Sequence, residues 1–467
     1  MPQSAMSPLP KRPYRPPAPW PVCTPQSSLQ IIAALRENPI TSWGIWHFER
    51  EIFSASTILG HLTFASAPAA IKHVLSDNVA NYPKDPLQLK VLKPGLNDGL
   101  VTSQGDLWKR TRRTVAPLFT PRAINDYTAA MRRRAEDMAI RLDALPEGAR
   151  VNVFDEMTRV TFEILAETIF TDAIETGPEA YGEALTRYFG SQGRMSALDM
   201  LRLPDWIPRP RRAQASPTID FFADEVRRIV DKRNRLKASG GKLPRDILTL
   251  LLEAADSETG ETLSQEEVGA NIITFIGAGH ETNTNALSWT LFLLAKHPHM
   301  REAVEAEIEP IDQWPENEWL NRLPLTRAVI EESLRLYPPA PIMSRTALEA
   351  DKIGEHHVPA GSLVIIAPYV VHRHRKLWAE PDLFRPERFL PGAREAINRY
   401  AFMPFGAGPR LCIGQHFAMH EAVIILATML RRLRFSMAKG ESVTPLHQVT
   451  LRPMPKLEMI KSSRSPP

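Results

Sequence analysis

The residue with the most chemical promise is Cys412, in the run Phe405-Gly406-Ala407-Gly408-Pro409-Arg410-Leu411-Cys412-Ile413-Gly414. Behind it, Ile413, Phe417, Ala418, Ala422, Ile425, Leu426 and Met429 recur at helical spacing, which predicts a buried helix starting near Cys412. A thiol at a helix N-terminus meets the positive end of the dipole and free backbone N–H groups, and both favour thiolate. Gly406, Gly408 and Gly414 leave the backbone free to turn tightly and to approach something flat and bulky. Phe405 would shield the sulfur from water, and Arg410 would offer a fixed guanidinium to a carboxylate.

A haem meets all of these requirements, being flat, ligated by thiolate through iron and equipped with two propionates. Other readings stand beside it. A lone buried cysteine is ordinarily a small hydrophobe. A nucleophilic cysteine would want a base, and His416 lies about one helical turn away. The Gly-Ala-Gly run suggests a phosphate loop, but the Lys-Ser/Thr pair of such loops is missing. Phe, Gly, Arg, Cys and Gly at this spacing resemble the cysteine-ligand loop of the cytochrome P-450 superfamily, and every signature position matches. The resemblance implies haem b (iron protoporphyrin IX), with Cys412 as axial ligand and Phe405, Arg410 and Gly414 against the cofactor.

Three further constellations extend it. In Ala278-Gly279-His280-Glu281-Thr282, an acid next to an alcohol can relay protons through ordered water. A solvated helix face is the bland alternative, but Ile272, Ile273, Phe275, Ile276, Leu287 and Trp289 flank the segment and predict burial. It is similar to the family's oxygen-activation motif, which implies Glu281 and Thr282 as the catalytic pair, Ala278 against the haem, and His280 as a structural residue at the free position. Glu332 and Arg335 share a helix face at i and i+3, a weak signal alone. With Tyr337-Pro338-Pro339 and Pro386-Glu387-Arg388-Phe389 they resemble the family's structural Glu–Arg–Arg cluster, with Arg388 as third member. Trp108 and Arg112, four apart, can both donate to a propionate. Their spacing matches the family's Trp-x-x-x-Arg element, and Arg345 corresponds to another propionate partner.

The resemblance spans roughly 50–455. It implies a mainly α fold with small β-sheets, the haem lying between a long central helix and the cysteine-ligand loop. The implied activity is a monooxygenase that inserts one oxygen atom from O2 into a small lipophilic substrate by hydroxylation or epoxidation. A haem-thiolate peroxygenase or rearrangement catalyst, and a haem-based sensor or binding protein, are the alternatives. Ile276, Ala278, Ile342 and Met343 are candidates for the pocket lining. Electrons would come from a separate ferredoxin or flavodoxin-type reductant, with Lys109, Arg110 and Arg113 as its docking cations.

The elements that must position these residues are legible in outline. Helices are expected over 122–145, 153–171, 217–238, 263–296, 299–310 and 325–336, and strands over Ser54–Ser66 and Val358–Val371. The arginine- and proline-rich Pro204–Pro217 reads as a surface loop connecting to a lid. Residues 1–30 read as a proline-rich extension, 31–460 as one domain and 461–467 as a polar tail. The resemblance implies that the substrate contacts lie in the family's variable regions, around 85–105, 175–215 and 440–455. A net charge of +4 on 467 residues is too small to imply nucleic acid. No apolar leader precedes the body and the longest apolar stretch, Val268–Leu294, carries polar interruptions, so no membrane anchor is expected. Two cysteines in unlike contexts suggest no disulfide and a cytoplasmic location.

Overall fold

The computed structural model describes residues 13–57, 60–171 and 210–464, with backbone alone at Ser28 and over 210–217. Residues 1–12 of the proline-rich start, residues 175–209 of the expected 175–215 substrate segment, residues 204–209 of the expected loop, and Ser465–Pro467 lie outside these residues.

A long helix runs through the molecule. It spans Gln265–Lys296, 32 residues, or about 48 Å. Its start is fixed by a reciprocal cap, in which Glu267 N–H donates to Ser264 Oγ and Ser264 N–H to the Glu267 carboxylate. The helices that frame the site are numbered α1 (Pro86–Leu96), α2 (Gly105–Val115), α3 (Thr128–Asp143), α4 (Val153–Leu165), α5 (Pro210–Ala238), α6 (the long helix), α7 (Pro324–Leu336) and α8 (Gln415–Arg432). α6 is buried on nearly all sides, packed by α4, α5, α7 and α8. Trp289 of α6 stacks on Tyr337 at the end of α7, with ring centres 3.8 Å apart.

The strands are β1 (Ile52–Thr57), β2 (Gly60–Ala65), β3 (Arg150–Asn152), β4 (Met343–Thr346), β5 (Asp351–Ile353), β6 (His356–Val358), β7 (Leu363–Ile366), β8 (Leu433–Met437), β9 (Thr444–His447), β10 (Leu451–Met454) and β11 (Glu458–Ser463). One sheet has the order β1-β2-β7-β4, a second β3-β11-β8, and β5–β6 and β9–β10 form antiparallel pairs. The first sheet joins distant parts of the chain through parallel β2–β7 and antiparallel β4–β7, where Arg345 faces Val364. The architecture is mainly helical with small sheets, as the sequence implies.

Four expectations are corrected. The helix expected over 122–145 is two, Pro121–Asn125 and α3, with the Thr128 hydroxyl donating to the Asn125 carbonyl at the break. Val358–Val371 is not all strand: Pro368 opens a short helix, Pro368–Val371. The helix of α5 already begins at Pro210, inside the expected loop. Residues 461–463 are not tail but the end of β11, and Lys461 is buried with Nζ donating to the carbonyls of Asp143 and Leu145 at 3.1 and 3.0 Å. At the other end, the proline-rich stretch gives way at Ser28 to a helix, Ser28–Glu37, capped by Ser27.

Candidate active site

The cysteine loop is closed by its own backbone. Cys412 N–H donates to the Phe405 carbonyl at 2.9 Å, Gly406 N–H to Met403 at 3.0 Å, and Leu411 N–H to Gly408 at 3.1 Å. Gly408 has φ +68°, and a Cβ there would collide with the Leu75 carbonyl, so this position admits only glycine. Gly406, at φ +77°, is likewise in the left-handed region. α8 starts three residues after Cys412, at Gln415. Cys412 has exposed surface, yet its thiol is strongly desolvated. Both hold if that surface faces an enclosed recess and not bulk water. Burial pushes the thiol up, against the Gly414 N–H and the Arg112 charge, so the helix terminus alone does not make a thiolate. A metal would, because a coordinating thiol is deprotonated outright.

Cations gather around this loop. α2 presents Trp108 and Arg112, and the Arg410 guanidinium lies over the Trp108 ring, 4.1 Å from its centre. Arg410 also donates to the Ser103 carbonyl at 3.0 Å, and the turn before Ser103 is held by Leu100 N–H donating to Asn271 of α6 at 3.0 Å. Arg345 on β4 is buried, and desolvation brings it down to about 10. Arg410 falls to about 10 as well, through burial and the Arg345 charge. Sequence reasoning missed a fourth cation, Lys84. Its Nζ donates to the Val101 carbonyl, and burial together with Arg410 and Arg345 pulls it down to about 7. A lone lysine in Pro-Lys-Asp-Pro carries no periodic signal; only the backbone bridge from Lys84 to Arg345 brings it in. No carboxylate of the described residues neutralises Lys84, Arg345 or Arg410.

On α6, Ala278 is exposed between the buried Ile276 and His280, and Gly277, Gly279 and Thr282 are partly open. The middle of a buried helix therefore borders open space of its own. Thr282 Oγ1 donates to the Ala278 carbonyl at 2.6 Å. Glu281 is buried and does not bond to its neighbour Thr282; it accepts from Thr450 Oγ1 at 2.6 Å. Burial pushes its carboxyl up to about 7, the Thr450 hydroxyl and Arg452 opposing. His280 Nε2 bonds to the Thr158 carbonyl at 3.0 Å and burial lowers it to about 4, a neutral packing histidine.

The sequence model of the cytochrome P450 family matches residues 51–460. The chain belongs to that family. It is 33% identical to the human ultra-long-chain fatty acid omega-hydroxylase over 82% of this chain and 76% of that one. It is 32% identical to cyclooctatin synthase of Streptomyces melanosporofaciens over 80% of each chain. It is also 31% identical to cyclooctat-9-en-7-ol 5-monooxygenase of the same organism, over 74% of this chain and 75% of that one. As a P450 it is a haem-thiolate monooxygenase, an oxidoreductase that uses O2 and a redox partner.

Elsewhere in this P450, Glu332 and Arg335 are fully buried and bonded through two contacts, at 2.6 and 2.7 Å. Arg335 also donates to the carbonyls of His372, Pro381 and Leu383, and Arg388 Nε stands 3.7 Å from Glu332. The expected docking cations are differently placed. Arg113 makes a two-pronged bond to Asp256, Arg110 pairs with Glu267, and Lys109 with Asp106 at 3.0 Å. Their charge is already met by acids of this chain, which the linear sequence could not show. Of the expected pocket lining, Ile276 is buried core, and Met343 Sδ lies beside Gly406 of the cysteine loop. Among the described residues no helix is long and apolar enough to cross a membrane.

Proposed function

We propose that this P450 inserts one oxygen atom into a small lipophilic substrate, by hydroxylation or epoxidation, with electrons from a separate ferredoxin or flavodoxin-type protein. The observation that carries the site is the set of cations beside Cys412 with no carboxylate of its own. These residues fit haem b: Cys412 would ligate the iron, and Trp108, Arg112, Arg345, Arg410 and Lys84 would hold the two propionates. When bound, the haem supplies the activation of O2.

The chain's own residues do the rest. Gly414 lies beside the Cys412 sulfur, the Phe405 carbonyl holds the Cys412 N–H, and Ala278 presents a small exposed face in the middle of α6. Thr282, bonded to the Ala278 carbonyl, keeps a hydroxyl at that face. Glu281 stores a proton near neutrality because it is buried. The fatty acid named for one relative supports an apolar chain as substrate, beside terpenoid rings as the other lipophile class.

The test is the reduced, CO-treated protein, whose Soret band should be red-shifted as for thiolate ligation and lost in Cys412→Ala. Fatty acids and terpenoids are then scored by the low-to-high spin shift and by oxygenated product with a ferredoxin system. Thr282→Ala should release more peroxide per electron pair. Purified protein without haem, or a haem protein that yields no oxygenated product from any lipophile, overturns the reading.

A further inference from the structure

We propose that Thr450, in the turn between β9 and β10, is a positioning residue for Glu281, holding its carboxyl on the hairpin and setting when it gives up its proton. The proposal rests on the reading of Glu281 as a proton-handling group. Thr450 Oγ1 lies 2.6 Å from Glu281 Oε1, and Asn285 Nδ2, one helical turn along α6, lies 3.1 Å from the same hydroxyl oxygen. An amide N–H can only donate, so the Thr450 hydroxyl accepts from Asn285 and points its own proton at Glu281. Glu281 Oε2 is buried without a hydrogen-bond partner among the described residues. The carboxylate form thus leans on one hydroxyl, and that hydroxyl comes from the hairpin.

The turn is anchored without that hydroxyl. Trp289 Nε1 donates to the Leu451 carbonyl at 3.3 Å, Leu451 N–H to Pro339 at 3.0 Å, and His447 N–H to Asn38 Oδ1 at 3.0 Å. Removing the Thr450 hydroxyl therefore changes what Glu281 feels while the backbone stays in place. The charged groups around Glu281 are few. Arg452 on β10 favours its ionised form, His280 beside it on α6 is neutral, and Glu421 on α8, reached through Asn283, is itself pushed towards its protonated form.

The experiment is infrared titration of the buried carboxyl band in the haem-loaded protein, the Glu281 contribution being the part lost in Glu281→Gln. Thr450→Val should move its midpoint up by about one pH unit, the worth of one hydrogen bond to a charged group. Thr450→Ser should restore it. A Thr450→Val midpoint equal to that of the wild type overturns the proposal. The pH dependence of the product-to-peroxide ratio is measured on the same variants and should shift in the same direction. If the infrared midpoint moves and this ratio does not, the tie between Thr450 and Glu281 stands and the proton-handling role of Glu281 falls.

Discussion

The guanidinium of Arg410 lies over the indole of Trp108, 4.1 Å from the ring centre, two residues before Cys412 in the chain. The cysteine loop is thereby fastened to α2. A partly desolvated cation–π contact contributes on the order of 1–2 kcal/mol. Trp108→Leu should lower the free energy of denaturant unfolding by about that amount and speed release of haem to an acceptor. Lys109→Ala, on the exposed face of the same helix, should change neither. Equal unfolding midpoints for Trp108→Leu and wild type would show that the stacking adds nothing.

Glu332 and Arg335 form a fully buried pair whose other donors are spent on three carbonyls. Removing Arg335 leaves the buried Glu332 with only Arg388, 3.7 Å away, and the Arg385 N–H, at a cost of about 3–5 kcal/mol. Arg335→Met should be destabilised to that extent, whereas Glu332→Gln with Arg335→Met should recover part of the loss. The check is a double-mutant cycle in chemical denaturation. If the double variant is as unstable as the sum of the singles, the two residues are not coupled as a pair.

Much of this site is legible in the sequence because its local geometry is local in sequence. Trp108 and Arg112 share a face by helical spacing, Glu332 and Arg335 likewise, and the glycines around Cys412 announce a tight loop. What stays hidden depends on contacts between distant segments. Lys84 reaches the site through its bridge to Arg345, 261 positions later, which no pattern encodes. Thr450 reaches Glu281 across 169 positions. Arg110 and Arg113 look like free basic surface until the chain brings Glu267 and Asp256 beside them. The same limit explains β11: Lys461 reads as polar tail until its ammonium is seen spent on two carbonyls.

Glu421 of α8 is buried beside Asn283 of α6, which donates to it, and burial raises its carboxyl to about 8 despite that bond. A carboxyl raised above its unfolded value binds its proton more tightly in the folded state. Its contribution to stability is therefore full below about pH 4.5 and is lost as pH rises through 8. Glu421→Gln keeps an amide for Asn283 to bond and removes the cost of ionisation. It should be more stable than wild type at pH 8 by roughly 4 kcal/mol, a difference that shrinks to about 1 kcal/mol at pH 5. Thermal melts across that range decide it; parallel curves for the two proteins would mean that Glu421 does not titrate there.

Lys84 is desolvated next to Arg410 and Arg345, which lowers its ammonium to about 7. A lysine held below its usual range costs the fold something unless an anion shares the site, and the haem propionates are the anions proposed there. Their presence favours the charged form, so retention of haem should be strongest where Lys84 is protonated and should weaken as pH rises and the ammonium is lost. Lys84→Met removes the charge while keeping much of the stem's bulk. At neutral pH it should release haem to an acceptor about tenfold faster, equivalent to one lost charge contact of about 1.4 kcal/mol. Its release rate should be nearly flat with pH, approaching that of wild type at the alkaline end. A Lys84→Met rate equal to wild type at neutral pH would remove Lys84 from the propionate site and leave it as a buried donor to Val101.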